Sequence, residues 1–458
     1  MLFGVKTRLD SQAKPIETPS TKMTFSPKLQ NHTRRYPWLY LVMLVGFLNG
    51  SHAAKSAEGL ISNVVAAQHG LERAWFSHVR VDPSRFRVAN WTLDKDQLFA
   101  LTTEGTLQAL NAETGETLWV TDIASRNAST IGLALSPDYV AVLSASRLNL
   151  LERSDGRLIW SRAVGAAPSA SPAIGTRYAY VALLSGRIEG YELENPKSSI
   201  WQYQSSGRSY HSPFTTGNVV SWPTDQGFLY VSSIENPRPL FRIHTNDEIV
   251  AAPAKLAPYL YVASLDGYLY CFHEFTGKEM WRYSTGFAVT SRPAIVGEMA
   301  FVASEETAIH AIDSTNGKRI WRIDGVADFV AMGANAIYGM APYGTLVVLD
   351  KATGKISGKI RTTPKHSAIV NDQSDRIFMV NDQGAVQCLR EIGASQPTWY
   401  RQQEKEPASD PETEDDSVNP FAEEAADRVD DAPDATPVDD NPFDKDESES
   451  IFDDDNPF

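Results

Sequence analysis

From about residue 71 onward, apolar and polar residues alternate in runs of four to seven residues. YAYVALL from Tyr178, YLYVASL from Tyr259, AFVAS from Ala300 and RIFMVND from Arg376 are examples. A period of two over so short a length predicts β-strands. Most such runs are followed by a glycine turn, at Gly105, Gly186, Gly227, Gly267, Gly344 or Gly384, then by a second alternating segment such as Thr106-Leu107-Gln108-Ala109-Leu110. A polar turn comes next, as in Glu113-Thr114-Gly115, Ser154-Asp155-Gly156, Asn195-Pro196-Lys197 or Thr315-Asn316-Gly317. Glycine, asparagine and proline supply the backbone angles of hairpins.

A bulky aromatic recurs at the same period, preceded by such a polar turn from Trp119 onward. Trp75, Trp119, Trp160, Trp201, Phe241, Trp281 and Trp321 recur at intervals of 40 to 44 residues, and an eighth equivalent falls near Gly358, where the aromatic is lost. A further strand opens each unit, often marked by a proline (Pro172, Pro213, Pro253, Pro293). Four short strands per forty residues is the pattern of a propeller blade. Residues 71–391 accommodate eight such units. The last unit lacks an aromatic strand and the first aromatic, Trp75, lacks strands before it, so residues 71–80 are expected to supply the outermost strand of the blade formed by 366–391. The fold class predicted is all-β, an eight-bladed β-propeller over residues 60–401. The regular placement of the seven aromatics makes them inter-blade core.

Two flanking segments differ from the repeat. Residues 1–54 carry a net charge of +5 and contain Arg34-Arg35, the apolar run WLYLVMLVGFL from Trp38 to Leu48, and small residues through Ala54. That order reads as an export signal, because eleven apolar residues are too few to span a bilayer core as a helix. Cleavage near Ala54 is expected, with a retained N-terminal anchor as the alternative; no cysteine lies there to carry a lipid. Residues 402–458 hold 22 acidic and 3 basic side chains. With so few apolar groups this tail is expected to be disordered. It contains Asn419-Pro420-Phe421, Asn441-Pro442-Phe443 and Asn456-Pro457-Phe458. Each triplet presents a phenylalanine after a turn-forming pair, resembles the NPF motifs read by EH domains, and is a candidate partner-binding site. Three copies would reinforce a weak contact.

Removing both segments from the net charge of −15 leaves about −1, with no basic stripe for nucleic acid. The histidines show no metal-ligand spacing, and nucleophile-elbow, Walker-type and dinucleotide motifs are missing from the sequence. Acidic residues in the polar turns (Glu113, Asp155, Asp313) are read as turn-stabilising. Cys271 and Cys388 sit inside apolar strands and are read as buried thiols.

The phrases Ala-Leu-Asn-Ala-Glu-Thr-Gly-Glu-Thr-Leu-Trp at 109–119 and Ala-Ile-Asp-Ser-Thr-Asn-Gly-Lys-Arg-Ile-Trp at 311–321 resemble the PQQ-like propeller repeat. One branch of that family comprises quinone-dependent dehydrogenases; the resemblance implies calcium, a catalytic aspartate, adjacent cysteines and long pocket-building insertions. Cys271 and Cys388 are 117 residues apart and the units are short. The other branch, the BamB-like scaffolds of outer-membrane assembly, matches better in blade count and compactness, although its lipidated cysteine has no counterpart here and it has no such acidic tail. The expectation is a non-enzymatic, exported scaffold of the cell envelope, periplasmic and monomeric, without cofactor or metal, with envelope proteins as partners. A quinone-dependent dehydrogenase, or a degenerate relative, is the alternative.

Overall fold

The computed structural model of the chain describes residues 60–123, 129–234 and 238–400. These form eight antiparallel sheets of four strands each. Seven sheets use consecutive strands. The first blade, for example, runs Val88–Asp94, Gln97–Thr102, Thr106–Asn111 and Thr117–Asp122. First strands of neighbouring blades touch one another, which sets them around the axis and leaves each fourth strand at the rim.

The eighth blade joins the two ends of the repeat region. Leu71–His78 pairs antiparallel with Ala385–Glu391, and the inner strands Ile377–Asn381 and His366–Ile369 complete the sheet. Trp75 stands opposite Cys388, just as Trp119 stands opposite Ala109 and Trp281 opposite Cys271. Ring closure by this strand removes two open sheet edges that a linear stack would expose. Gly358 occupies the same place opposite Val348, which confirms it as the eighth equivalent of the aromatic.

In the third-to-fourth strand pairing of six blades the register shifts immediately beside the aromatic position, and the closing pair shifts between Arg73 and Trp75. A bulge of this kind bends the outer strand and re-aims its side chain. The second and third strands differ from the alternation in the sequence: Leu98, Phe99, Ala100 and Leu101 are all fully buried. Each sheet is sandwiched between two others, so both its faces are core. What alternates is size, as in Tyr178-Ala179-Tyr180-Val181. Polar alternation is confined to the rim strands.

A helix, Asn63–Gln68, precedes the closing strand and was not foreseen from the sequence. It fills the seam where Gly358 replaces an aromatic: His69 Nδ1 lies 2.5 Å from where a Cβ on Gly358 would sit. Ile61, Ala66 and Leu71 share one core cluster with Val330, Leu346, Val348 and Ile360. The Gln387 amide holds the segment by accepting from Ile61 N at 3.0 Å and donating to Ile61 O at 2.9 Å.

Candidate functional site

Two kinds of side chain tie the blades into a rigid ring. The first is the rim aromatic, whose indole donates to a carbonyl in the turn of the next blade. Trp75 bonds Ala112 O at 2.9 Å, Trp119 bonds Arg153 O at 2.9 Å, Trp160 bonds Leu193 O at 2.8 Å and Trp321 bonds Lys351 O at 3.1 Å. Gly115, at φ +73°, lies so close under Trp75 that a Cβ would come within 2.4 Å of the ring, so the turn needs glycine for both backbone angle and space. Glu113 departs from the turn-stabilising role expected of it. Asn111 Oδ1 takes the turn N–H groups of Glu113 and Thr114, and Glu113 instead meets Arg376 of the eighth blade at 3.0 Å. Asp155 and Asp313 do cap their turns, accepting from Arg157 N at 2.9 Å and Thr315 N at 2.8 Å.

The second kind is a polar residue at the third position of the third strand, which sequence reading missed. Gln108, Asn149, Glu189 and Gln387 lie there, deeply buried, as do His310, Tyr230 and Tyr270. Several grip the connection from the preceding blade: Arg80 N donates to Gln108 Oε1 at 2.8 Å, Gly165 N to Glu189 Oε2 at 3.0 Å and Ser206 N to Tyr230 Oη at 3.0 Å. His310 Nδ1 is 2.9 Å from Tyr283 Oη, and burial with Arg322 and Arg319 nearby holds its pKa down at about 4. The signal for this set was a polar residue in an apolar strand, repeated at the blade period.

Adjacent strands in a blade run in opposite directions, so second-to-third turns and blade-to-blade connections share one face of the ring. The described connections there are short and pinned. Thr245 and Thr285 hydroxyls donate to Asp247 O and Phe287 O at 2.6 Å each, while Asp225 Oδ1 and Asp266 Oδ2 accept from Arg208 N and Asn246 N. Leu184, Tyr210, Phe287 and Tyr343 project from this face to solvent. At the axis, Arg292 of the sixth blade reaches Asp372 of the eighth at 3.4 Å and Pro253 O of the fifth at 3.4 Å. Its guanidinium also lies 5.8 Å from the Phe214 ring of the fourth. The axis is thus bridged by a side chain. A shallow depression of about 290 Å³ on the opposite face, lined by Lys95, Asp138 and Arg153 among others, has its guanidinium already engaged by Asp94, Gln97 and Ser136.

Both cysteines are free and buried; burial pushes the Cys271 thiol up to about 12 and raises that of Cys388 as well. Among the described residues no group of three or more His, Cys, Asp or Glu side chains is placed to hold a metal ion. Within the same residues no helix is long and apolar enough to cross a membrane.

The family model for outer membrane protein assembly factor BamB matches residues 75–188 and 244–420, more than half of the chain. The chain belongs to the BamB family. Among solved structures, BamB from Moraxella catarrhalis superposes with a TM-score of 0.58 at 16% identity, over 70% of this chain and 99% of that one. The computationally designed Ika8 protein gives a TM-score of 0.54 at 15% identity, over 69% of this chain and 96% of that one. At such identities these two likenesses speak for the fold alone. No curated protein sequence matches significantly.

For a BamB-family ring, the seven aromatics named from the sequence all stand on fourth strands and are brought to the seams between blades. The candidate docking residues Asn419, Pro420, Phe421, Asn441, Pro442, Phe443, Asn456, Pro457 and Phe458 lie outside the described residues, as does the 1–54 leader.

Proposed function

We propose that the protein is a non-enzymatic interaction scaffold of the cell envelope, exported through its N-terminal leader, with partner proteins bound by the propeller and by the tail. The observation that carries this reading is the connection face. Its loops are fixed by hydroxyl and carboxylate pins while Leu184, Tyr210, Phe287 and Tyr343 stay open to solvent. Apolar anchors on pre-ordered backbone lose little entropy on binding, which is what a protein-binding surface needs. Family membership supports the same conclusion, and the Asn-Pro-Phe triplets would add docking points tethered to the ring.

The test is capture. The full chain and a variant carrying Tyr210→Ser, Phe287→Ser and Tyr343→Ser are used as bait in envelope extract, and both are assayed for dye-linked alcohol or sugar oxidation after addition of calcium and quinone. Specific protein capture lost in the variant, with no turnover, is expected. Turnover above background, or tight quinone uptake, overturns the scaffold reading.

A further inference from the structure

The rim of the ring is not uniform in charge. The turn and fourth-strand windows 234–244, 274–284, 314–324 and 351–361, in blades four to seven, hold 11 basic and 4 acidic residues. The equivalent windows 112–122, 153–163 and 194–204 of blades one to three hold 4 basic and 5 acidic. The excess also has a fixed spacing. Arg238 and Arg242, Lys278 and Arg282, Lys318 and Arg322, and Lys355 and Lys359 are each four residues apart, and all eight are exposed. Between the first three pairs stand Leu240, Met280 and Ile320, all exposed as well. Blades one and two repeat the exposed apolar residue, at Leu118 and Ile159, and none of blades one to three carries cations at both of the flanking positions.

Some of this charge is answered locally: Arg282 meets Glu279 at 3.6 Å, and Arg322 meets Glu306 at 3.0 Å and Asp324 at 2.8 Å. Among the described residues no ion pair within 4.0 Å engages Arg238, Lys278, Lys318, Lys355 or Lys359, and Arg242 lies 4.6 Å over the ring of Phe228. Every fourth strand in this arc is also the edge of its sheet, with one side of its backbone free to pair.

We infer that the rim of blades four to seven is a docking track for an acidic, extended polypeptide with intermittent apolar residues, which pairs with one or more of these edges and sets its carboxylates against the flanking cations. This rests on the scaffold reading and adds to it the place and chemistry of a partner. Charge complementarity selects a polyanion. The edge backbones and the apolar residue between each cation pair select a polypeptide over other polyanions, because strand addition supplies main-chain hydrogen bonds and alternate-residue contacts. A flat anionic membrane would meet only part of an arc that covers half the ring.

The probe is a fluorescein-labelled twelve-residue peptide of alternating glutamate and valine, titrated into the full chain by fluorescence anisotropy at low and moderate salt. Measurable binding that weakens as salt rises is expected. Lys278→Glu, Lys318→Glu, Lys355→Glu and Lys359→Glu together should weaken it tenfold or more. A charge-matched control away from the track, Arg85→Glu, Lys95→Glu, Arg157→Glu and Lys197→Glu together, should change it less than threefold. Thermal unfolding of both variants checks that the ring is intact. A peptide N-methylated at alternate residues should lose binding if an edge is paired. Equal affinity for the two charge variants, or no binding at all, overturns the track, and so does a rim-dependent affinity for anionic vesicles or single-stranded oligonucleotide without affinity for the peptide. If the peptide test fails while the full chain still captures envelope partners, the track falls and the scaffold reading stands.

Discussion

Trp281 should tolerate replacement by phenylalanine better than Trp75 does, although both fill the same place in their blades. Trp75 Nε1 donates to Ala112 O, three residues before Gly115, and Trp119 and Trp321 likewise use the carbonyl three residues before Gly156 and Gly354. The corresponding acceptor for Trp281 is Ser314 O, but the Tyr261 hydroxyl already donates to it at 3.1 Å, and Trp281 Nε1 is buried without a partner. Loss of ring volume is common to Trp75→Phe and Trp281→Phe and cancels in the comparison. At position 75 the change also removes a hydrogen bond worth about 1 kcal/mol, whereas at 281 it removes an orphaned donor whose burial costs roughly 1–3 kcal/mol. The two variants should therefore differ by at least about 2 kcal/mol, a gap built from those terms. Phe241 shows that phenylalanine serves at this position: a Cβ on Gly277 would meet its ring at 2.6 Å, as one on Gly317 would meet the Trp281 ring.

Urea unfolding followed by circular dichroism, compared at equal m-values, measures the gap. Tyr261→Phe sharpens the test by freeing Ser314 O for the indole, so the double variant Tyr261→Phe with Trp281→Phe should cost at least about 2 kcal/mol more than the sum of the singles, the same bond-plus-orphan gap. Equal costs for the two tryptophan replacements, within about 0.5 kcal/mol, would refute the assignment of the carbonyl to tyrosine.

Stability should fall with acidity in a window set by His310, whose folded pKa of about 4 lies below its ordinary 6.5. The unfolded chain then binds the extra proton first, so this contribution is complete above pH 6.5 and is lost as pH drops toward 4, up to roughly 3 kcal/mol. His310→Gln should flatten that part of the profile, and unchanged pH dependence would count against a neutral buried imidazole; His211 and His366, also lowered by burial, leave a residual slope. Gln387→Leu should strand the N–H and carbonyl of Ile61, costing about 2 kcal/mol and speeding amide exchange through residues 61–68, and native-like protection there would show the contact to be dispensable. In the tail, Phe421→Ala, Phe443→Ala and Phe458→Ala combined should abolish capture of the docking partner without moving the melting temperature, and single changes should weaken capture in steps; capture equal to wild type would reduce the tail to a solvating appendage.

The ring was legible because each blade repeats one mechanical part. An aromatic that must reach its neighbour's turn recurs at blade spacing, and the unmatched Trp75 at one end and unmatched strands at the other implied the closing pair that Leu71–His78 and Ala385–Glu391 form. The helix Asn63–Gln68 was hidden because six residues give too few turns for a periodic pattern. Its necessity could still have been inferred from Gly358, since a seam without an aromatic must be filled by something else. Arg376 was hidden for a different reason. One partner, Asp375, is its chain neighbour, but the other, Glu113, comes from the first blade, and no local spacing announces a pair 263 residues apart.

The pins that make the ring rigid also explain why its candidate binding chemistry lies on loops and edges. A buried polar side chain that grips the preceding connection, as Gln108 grips Arg80 N or Glu189 grips Gly165 N, spends its hydrogen bonds on positioning backbone. Cutting such a pin leaves a buried donor or acceptor unmatched, so these positions resist change. The exposed tips they hold in place, Leu184, Tyr210, Phe287 and Tyr343, carry no such obligation. Substitutions there alter the surface offered to a partner while the seams keep the ring closed. Binding specificity in this fold is therefore free to vary by tip and rim residues alone, and a variant that changes partners without changing the unfolding midpoint should map to those positions and not to the third strands.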